Sequence, residues 1–279
     1  MNDYFNYGGK KCVVTGASSG MGKAAAEVLV DLGAEVYAVD INECEVSGIQ
    51  AFISANLADK NSIDEAFKKL PQKIDNFFGV AGLSGVRTDY MTTFNVNYTA
   101  NMYMSETYLK DRMIEGGAIT FVSSMSGVAW KEHKDECDYV LGQRSWEQVQ
   151  ETMEKLIRPD FPTTHAYLYS KRLMNAYSCE ASLSFAKQGV RVNVILPGSA
   201  DTGMKSEFAQ MAGGLDNMIK MSGPAGRLAM SEEIAYPLVF LGSPMASFIS
   251  GEELIVDYCD NAMKKLGIKP ELCAGKAFI

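Results

Sequence analysis

The sequence predicts an α/β domain built on a mostly parallel, doubly wound sheet of seven strands with helices on both faces. Three observations carry that expectation. Short apolar runs of strand length alternate with longer stretches of helical character along nearly the whole chain, the pattern of repeated strand–helix crossovers. The first run ends in a glycine cluster, Gly16, Gly20 and Gly22, as a buried strand does when it turns tightly into a helix. The second run stops at an acidic residue, Asp40.

Taken in order, Lys11–Thr15 is the first strand and Lys23–Leu32 the first helix, closed by Gly33 as a C-terminal cap. Glu35–Val39 is the second strand, Phe52–Leu57 the third, and Ile63–Leu70 a helix. Asn76–Ala81 reads as the fourth strand, Phe94–Arg112 as a long helix and Ala118–Val122 as the fifth strand. Ala166–Lys187 is a second long helix, Val190–Leu196 the sixth strand, and Leu254–Asp257 the seventh. No internal repeat or low-complexity linker interrupts this rhythm, so residues 1–279 are expected to form a single domain.

One segment departs from it. Trp130–Thr164 is too long for a plain connection. Ser145 and Gln148 stand at capping-box spacing, and Trp146, Val149, Met153, Leu156 and Ile157 recur at helical spacing before Arg158-Pro159 stops the helix. The expectation is a small helical insertion with one apolar face. That face either packs on the domain body or walls a hydrophobic substrate, and one helix can do both. At the other end, the tail from Ala262 to Ile279 either covers the pocket or crosses to a neighbouring subunit.

The chain has 279 residues, 47% hydrophobic and 22% charged, with a formal net charge of −8. This is ordinary for a globular protein, and the acidic balance argues against nucleic acid and anionic membrane surfaces as partners. No apolar run reaches the roughly 18 residues that span a bilayer, and the start of the chain lacks a secretory signal. The six cysteines, Cys12, Cys44, Cys137, Cys179, Cys259 and Cys273, form no Cys-x-x-Cys pair. They read as reduced thiols of a cytoplasmic protein, with no metal site.

The chemistry-bearing residues fall into two groups. In the first, Gly16, Ser18, Ser19, Gly20, Met21 and Gly22 lie where strand becomes helix. Glycines let the backbone approach a pyrophosphate, and the helix N-terminus offers it unpaired N–H groups. Asp40, followed by Ile41, can accept from both hydroxyls of an adenosine ribose and repels a 2′-phosphate, with no lysine or arginine beside it to compensate. That favours NAD over NADP, against the plainer reading of Asp40 as a turn residue ending a strand.

In the second, Tyr167 and Lys171 stand one helical turn apart. A free tyrosine has a pKa of about 10, and a neighbouring cation pulls it down. Bringing it to roughly 7 takes about 4 kcal/mol of differential stabilisation. The expectation is a phenol that exchanges a proton with an alcohol or carbonyl oxygen.

These motifs resemble those of the short-chain dehydrogenase/reductase family, from about Lys11 to Asp257. Thr15-Gly16 through Gly22 matches its Rossmann-type cofactor motif. Ala81-Gly82 matches the end of its Asn-Asn-Ala-Gly motif, with Gly79 and Val80 in place of the asparagines. Asn97, Ser124, Tyr167 and Lys171 match its four active-site residues, and Pro197, Gly198, Ala200 and Thr202 the loop that meets the nicotinamide carboxamide. The resemblance implies that Ser124 holds the substrate oxygen and Tyr167 moves its proton. It implies that Lys171 lowers the Tyr167 pKa and bonds the nicotinamide ribose, while Asn97 supports a water leading to solvent. Asn56 and Leu57 stand where the family often has an adenine-contacting aspartate, and Tyr258-Cys259 where it has two glycines.

The long segment between Ser124 and Tyr167 is similar to that of bacterial 3α-hydroxysteroid dehydrogenase/carbonyl reductases. The implied function is NAD-dependent interconversion of a secondary alcohol and a ketone on a hydroxysteroid or bile acid, in a homo-oligomer. A small aliphatic, cyclic or aromatic alcohol or a sugar is the alternative substrate, and an NAD sensor without turnover the alternative class.

Among the remaining residues, Ser123 faces away from Ser124. Tyr169 is a packing residue, His165 belongs to the start of its helix, and His133 is solvated. Met204, Met211, Met218, Met221 and Met230 either line a substrate pocket or fill core.

Overall fold

The computed structural model describes residues 4–158 and 161–269. A seven-stranded, all-parallel sheet runs in the order β3-β2-β1-β4-β5-β6-β7. The strands are β1 (Lys11–Thr15), β2 (Glu35–Asp40), β3 (Ala51–Ser54), β4 (Ile74–Gly79), β5 (Met113–Val122), β6 (Arg191–Pro197) and β7 (Glu253–Val256). Strand order reverses between β1 and β4, which opens a crevice beyond their carboxyl ends, where ligands bind in such sheets.

Two apolar cores flank the sheet. One packs the helices Lys60–Lys69 and Thr164–Ala186 and a long helix over 90–112 onto one face, around Phe67, Phe77, Phe94 and Tyr177. The other packs Gly20–Asp31 and Ser231–Gly242 onto the opposite face, around Leu29, Val36, Phe78 and Leu238. The central strands are almost wholly buried, as Arg191–Pro197 shows along its full length, because both faces of the sheet are covered.

Element boundaries differ from the sequence reading where turn-like residues were absorbed into regular structure. The first helix starts at Gly20. The long helix starts at Tyr90, because Asp89 caps it by accepting from Thr92 N at 2.8 Å. It then alternates α turns with π turns at Asn95–Thr99 and Ser105–Leu109. β5 begins at Met113 and carries Gly116 (φ +81°) through an irregularity in its pairing with β4. β3 ends at Ser54, so Asn56 and Leu57 lie beyond it.

The insertion is helical, as expected, with a helix at Lys134–Leu141 as well as the one at Trp146–Leu156. The Ser145–Gln148 capping box forms. Trp146, Val149 and Met153 are buried in the main core, with the Trp146 ring edge-on to Tyr103 at 5.8 Å. The Pro159 stop and the tail beyond Lys269 lie outside the described residues. Among the described residues no helix is long and apolar enough to cross a membrane. Cys12, Cys44, Cys137, Cys179 and Cys259 are free thiols, and Cys273 is outside the described residues.

Candidate active site

A cavity of about 1020 Å³ opens at the carboxyl ends of β1, β4, β5 and β6. Its floor is the loop after β1. Gly16 has φ +71°, and a Cβ there would lie 2.7 Å from Ala81 Cα; a Cβ on Gly22 would lie 2.1 Å from Gly16 O. Only glycine satisfies both positions. Thr15 Oγ1 accepts from Val80 N at 3.0 Å and Ala81 N at 3.3 Å, which locks the loop after β4, with Gly82, against the glycine turn. Ser19 makes no side-chain cap on the helix that follows, so the N–H groups of its first turn face the cavity without a side-chain acceptor from that position.

Asp40 is buried at the end of β2. Its Oδ2 accepts from Ser18 N at 3.0 Å and its Oδ1 from Asn42 N at 3.0 Å. An ionised carboxylate has about four lone-pair sites, so acceptor capacity remains for hydroxyls in the cavity. Ile41, Asn56 and Leu57 continue this wall. The backbone cradle, the helix N-terminus and the carboxylate together fit a dinucleotide. Pro197, Gly198, Ala200 and Thr202, from the loop after β6, line the cavity on the far side.

Ser124, Tyr167 and Lys171 meet on one wall. Ser124 follows β5, accepts from Ser126 N at 3.1 Å, and hydrogen-bonds the Tyr167 hydroxyl. Ser123 points away and donates to Lys171 O at 3.1 Å, as strand alternation requires. The Lys171 ammonium lies 5.6 Å from the Tyr167 ring centre and donates to Val122 O at 3.0 Å.

The expected lowering of the Tyr167 pKa is not what the protein's own groups produce. Burial pushes the phenol up to about 12, opposed by the Ser124 hydrogen bond. Burial also brings Lys171 down to about 8. Desolvation penalises each charged form, and it outweighs a cation placed over the ring instead of at the oxygen.

Asn97 sits behind this wall and does not line the cavity. Its amide is engaged within the protein: Oδ1 accepts from Leu83 N at 2.8 Å, and Nδ2 donates to Leu83 O at 2.9 Å and Ser170 Oγ at 3.1 Å. Its carbonyl accepts from Asn101 Nδ2 at 3.3 Å. Asn97 therefore fixes the loop after Gly82 against the tyrosine helix.

The remaining wall is mostly apolar. Met204, Met211, Met218 and Met221 line it, whereas Met230 is exposed and does not. Phe208, on the helix Lys205–Met211, stands edge-on to Tyr167 at 5.3 Å. Phe208 was not singled out in the sequence, although it lies between Met204 and Met211 at helical spacing. Leu83, Thr88, Thr92 and Val96 were also missed. None of the described residues between Gly127 and Ala166 lines the cavity. The Trp146 helix is thus a packing element and not a substrate wall.

His133 is buried, not solvated, with Nδ1 3.9 Å from Glu136 Oε2, because the insertion folds back over it. His165 lies in the first turn of its helix against Phe161, and Tyr169 is fully buried, donating to Glu136 O at 2.7 Å. Among the described residues no group of three or more His, Cys, Asp or Glu is placed to hold a metal.

The C-terminal segment completes the mouth. Tyr258, Asp260 and Lys264 line it. Tyr258 (φ +47°) and Cys259 (φ +74°), standing where the resemblance expects glycines, keep the left-handed backbone, at roughly 1–2 kcal/mol each.

Known proteins share this architecture. Residues 10–135 match a family model described as short chain dehydrogenase, and residues 157–258 one described as Enoyl-(Acyl carrier protein) reductase. The 3-alpha-hydroxysteroid dehydrogenase from Pseudomonas sp. B-0831, solved with NADH, has a TM-score of 0.74 at 22% identity, over 92% of this chain and 99% of that one. A putative 2-deoxy-d-gluconate 3-dehydrogenase from Agrobacterium tumefaciens, solved with NADP, has a TM-score of 0.71 at 21% identity, over 94% and 100%. Those likenesses establish the fold. Coniferyl-alcohol dehydrogenase of Pseudomonas sp. (strain HR199 / DSM 7063) is 33% identical over 89% of this chain and 95% of its own length. Likeness of that extent, on top of both family matches, goes beyond a shared fold, and the chain belongs to the short-chain dehydrogenase/reductase family of oxidoreductases, which use a nicotinamide cofactor.

Proposed function

We propose that the protein is an NAD-dependent dehydrogenase that interconverts an alcohol and its carbonyl on an apolar, ring-bearing substrate. The observation that carries this reading is the meeting of Ser124, Tyr167 and Lys171 on the wall of the cavity that also holds the glycine turn. When bound, the nicotinamide cofactor supplies the hydride chemistry.

The residues of the chain do the rest. Ser124 donates to the substrate oxygen and holds it beside Tyr167. In oxidation Tyr167 accepts the hydroxyl proton as the phenolate, and in reduction it donates one as the phenol. Loss of the phenol proton favours the charged form of Lys171 close by, so the two groups titrate as a coupled pair. Asn97 keeps the loop after Gly82 in register with the tyrosine helix.

NAD is favoured because Asp40 offers free acceptor capacity to ribose hydroxyls and repels a 2′-phosphate. The substrate class follows from the wall built by Leu83, Val96, Met204 and Phe208, which provides few polar anchors. An aromatic alcohol is the leading substrate, by kinship with the coniferyl-alcohol relative. A hydroxysteroid is the second reading, supported by Met204, Met211, Met218 and Met221 on the apolar wall, whose side chains adapt to a large apolar outline.

Nicotinamide absorbance, followed with NAD and with NADP against aryl alcohols, hydroxysteroids, hexanol and sugars, tests the proposal. Turnover of ring-bearing alcohols with NAD is expected. Turnover of sugars alone would overturn the substrate class, and no turnover with either cofactor would leave a binding protein.

A further inference from the structure

The backbone just after β7 carries information that the catalytic wall does not. Three non-glycine residues among those described have positive φ: Asn6, Tyr258 and Cys259. A bulky residue in that region persists only where its surroundings hold it there. Here they do. Gly198 N donates to Val256 O at 3.0 Å on one side of the turn, and Asn261 N to Asp257 Oδ2 at 2.6 Å on the other. Asp260, buried, pairs with Lys264 at 2.5 Å and Lys269 at 2.9 Å. Lys269 Nζ also donates to Lys220 O and Met221 O, which ties the segment to the helix Leu215–Met221.

The ring held in this clamped turn contributes little to the core, because Tyr258 is 69% exposed. It stands instead on the cavity wall, with Met218, Met221 and Arg227. Glycine would occupy the same backbone without strain. A strained, clamped turn that keeps a large, exposed aromatic residue among those lining the cavity matches a role in contacting what enters.

We propose that Tyr258 is a specificity-determining residue, its ring packing against the ring system of the bound alcohol and favouring ring-bearing over open-chain substrates. This rests on the reading above that the cavity takes an apolar alcohol.

The test compares wild type with Tyr258→Gly and Tyr258→Phe, using cinnamyl alcohol, a hydroxysteroid and hexanol, with melting temperature and mass in solution measured alongside. Tyr258→Gly relieves the backbone, so it is expected to melt at or above the wild-type temperature. Its KM for ring-bearing alcohols is expected to rise about three- to tenfold, the range of an aromatic contact, with hexanol affected less. Tyr258→Phe keeps the ring and is expected to restore the wild-type KM.

A Tyr258→Gly enzyme with unchanged KM for all three substrates overturns the proposal and leaves the function intact. So does an equal rise for hexanol. A change of mass in solution for Tyr258→Gly assigns the ring to a subunit contact and also overturns it. Wild type that oxidises no ring-bearing alcohol removes the underlying substrate reading, and this proposal with it.

Discussion

The Lys171 ammonium stands over the face of the Tyr167 ring, 5.6 Å from its centre, and spends a hydrogen bond on the Val122 carbonyl at 3.0 Å. The cation is therefore buried beside the phenol without pointing at its oxygen. Burial holds Lys171 down at about 8 from the ordinary 10.5. Below about pH 8 both folded and unfolded chains carry this charge, and the folded state bears the full desolvation cost. Between about 8 and 10.5 the folded protein has lost the proton while the unfolded chain keeps it, so stability rises with pH across that window. The rise is on the order of 3 kcal/mol at most. Tyr167 acts with the opposite sign at higher pH, since its folded pKa of about 12 lies above the ordinary 10.0. Urea unfolding from about pH 7.5 to about pH 9.5 is expected to show wild type gaining stability relative to Lys171→Met. Parallel curves for the two proteins would mean that Lys171 is not buried as a cation.

Tyr167→Phe removes one oxygen from a ring that keeps its edge-on contact with Phe208. Turnover is expected to fall at least 100-fold, the lower range for losing a general acid–base group. Cofactor affinity, read by quenching of protein fluorescence, is expected to stay within about threefold, because the glycine turn and Asp40 are untouched. Retained turnover would take Tyr167 out of the proton path.

Asp40→Asn keeps the size of the side chain and the acceptor oxygen facing either Ser18 N or Asn42 N. It removes the charge that disfavours a 2′-phosphate, worth roughly 1–4 kcal/mol near 4 Å. The ratio of kcat/KM for NAD over NADP is expected to drop by about tenfold or more. A wild type that already prefers NADP would refute the role assigned to Asp40.

Much of the site was legible because its demands are local. Gly22 is dictated by the Gly16 carbonyl six residues before it, and Gly16 by its own positive φ. The Ser145–Gln148 capping box likewise needs only its own four residues. What escaped the sequence depends on burial by distant segments. The spacing of Tyr167 and Lys171 puts them on one face, but their protonation is decided by burial, Lys171 against Val122 at the end of β5 and Tyr167 against Phe208. His133 looked solvated until the insertion folded over it. Phe208 is separated by a long stretch of sequence from Tyr167, and only the path of the loop after β6 brings the rings together.

The same dependence on distant packing decides what the insertion does. Trp146 is buried against Tyr103, edge-on at 5.8 Å. Tyr103 and Tyr108 in turn both donate to Asp64 Oδ1, at 2.7 and 2.6 Å. The exposed Lys60–Glu147 pair at 2.7 Å adds little, since solvent screens it. The apolar face, together with the reciprocal amide bonds of Gln150 and Asn95 at 2.7 and 3.3 Å, attaches the helix, and no residue of the helix lines the cavity. Trp146→Ala removes a large buried side chain and is expected to cost about 3–5 kcal/mol, seen as a lower urea midpoint with unchanged slope. Well below the new melting temperature, KM and kcat are expected to stay within about twofold of wild type, because no residue of this helix lines the cavity. A substrate-dependent change in KM with stability intact would reverse that assignment and make the insertion part of the substrate wall.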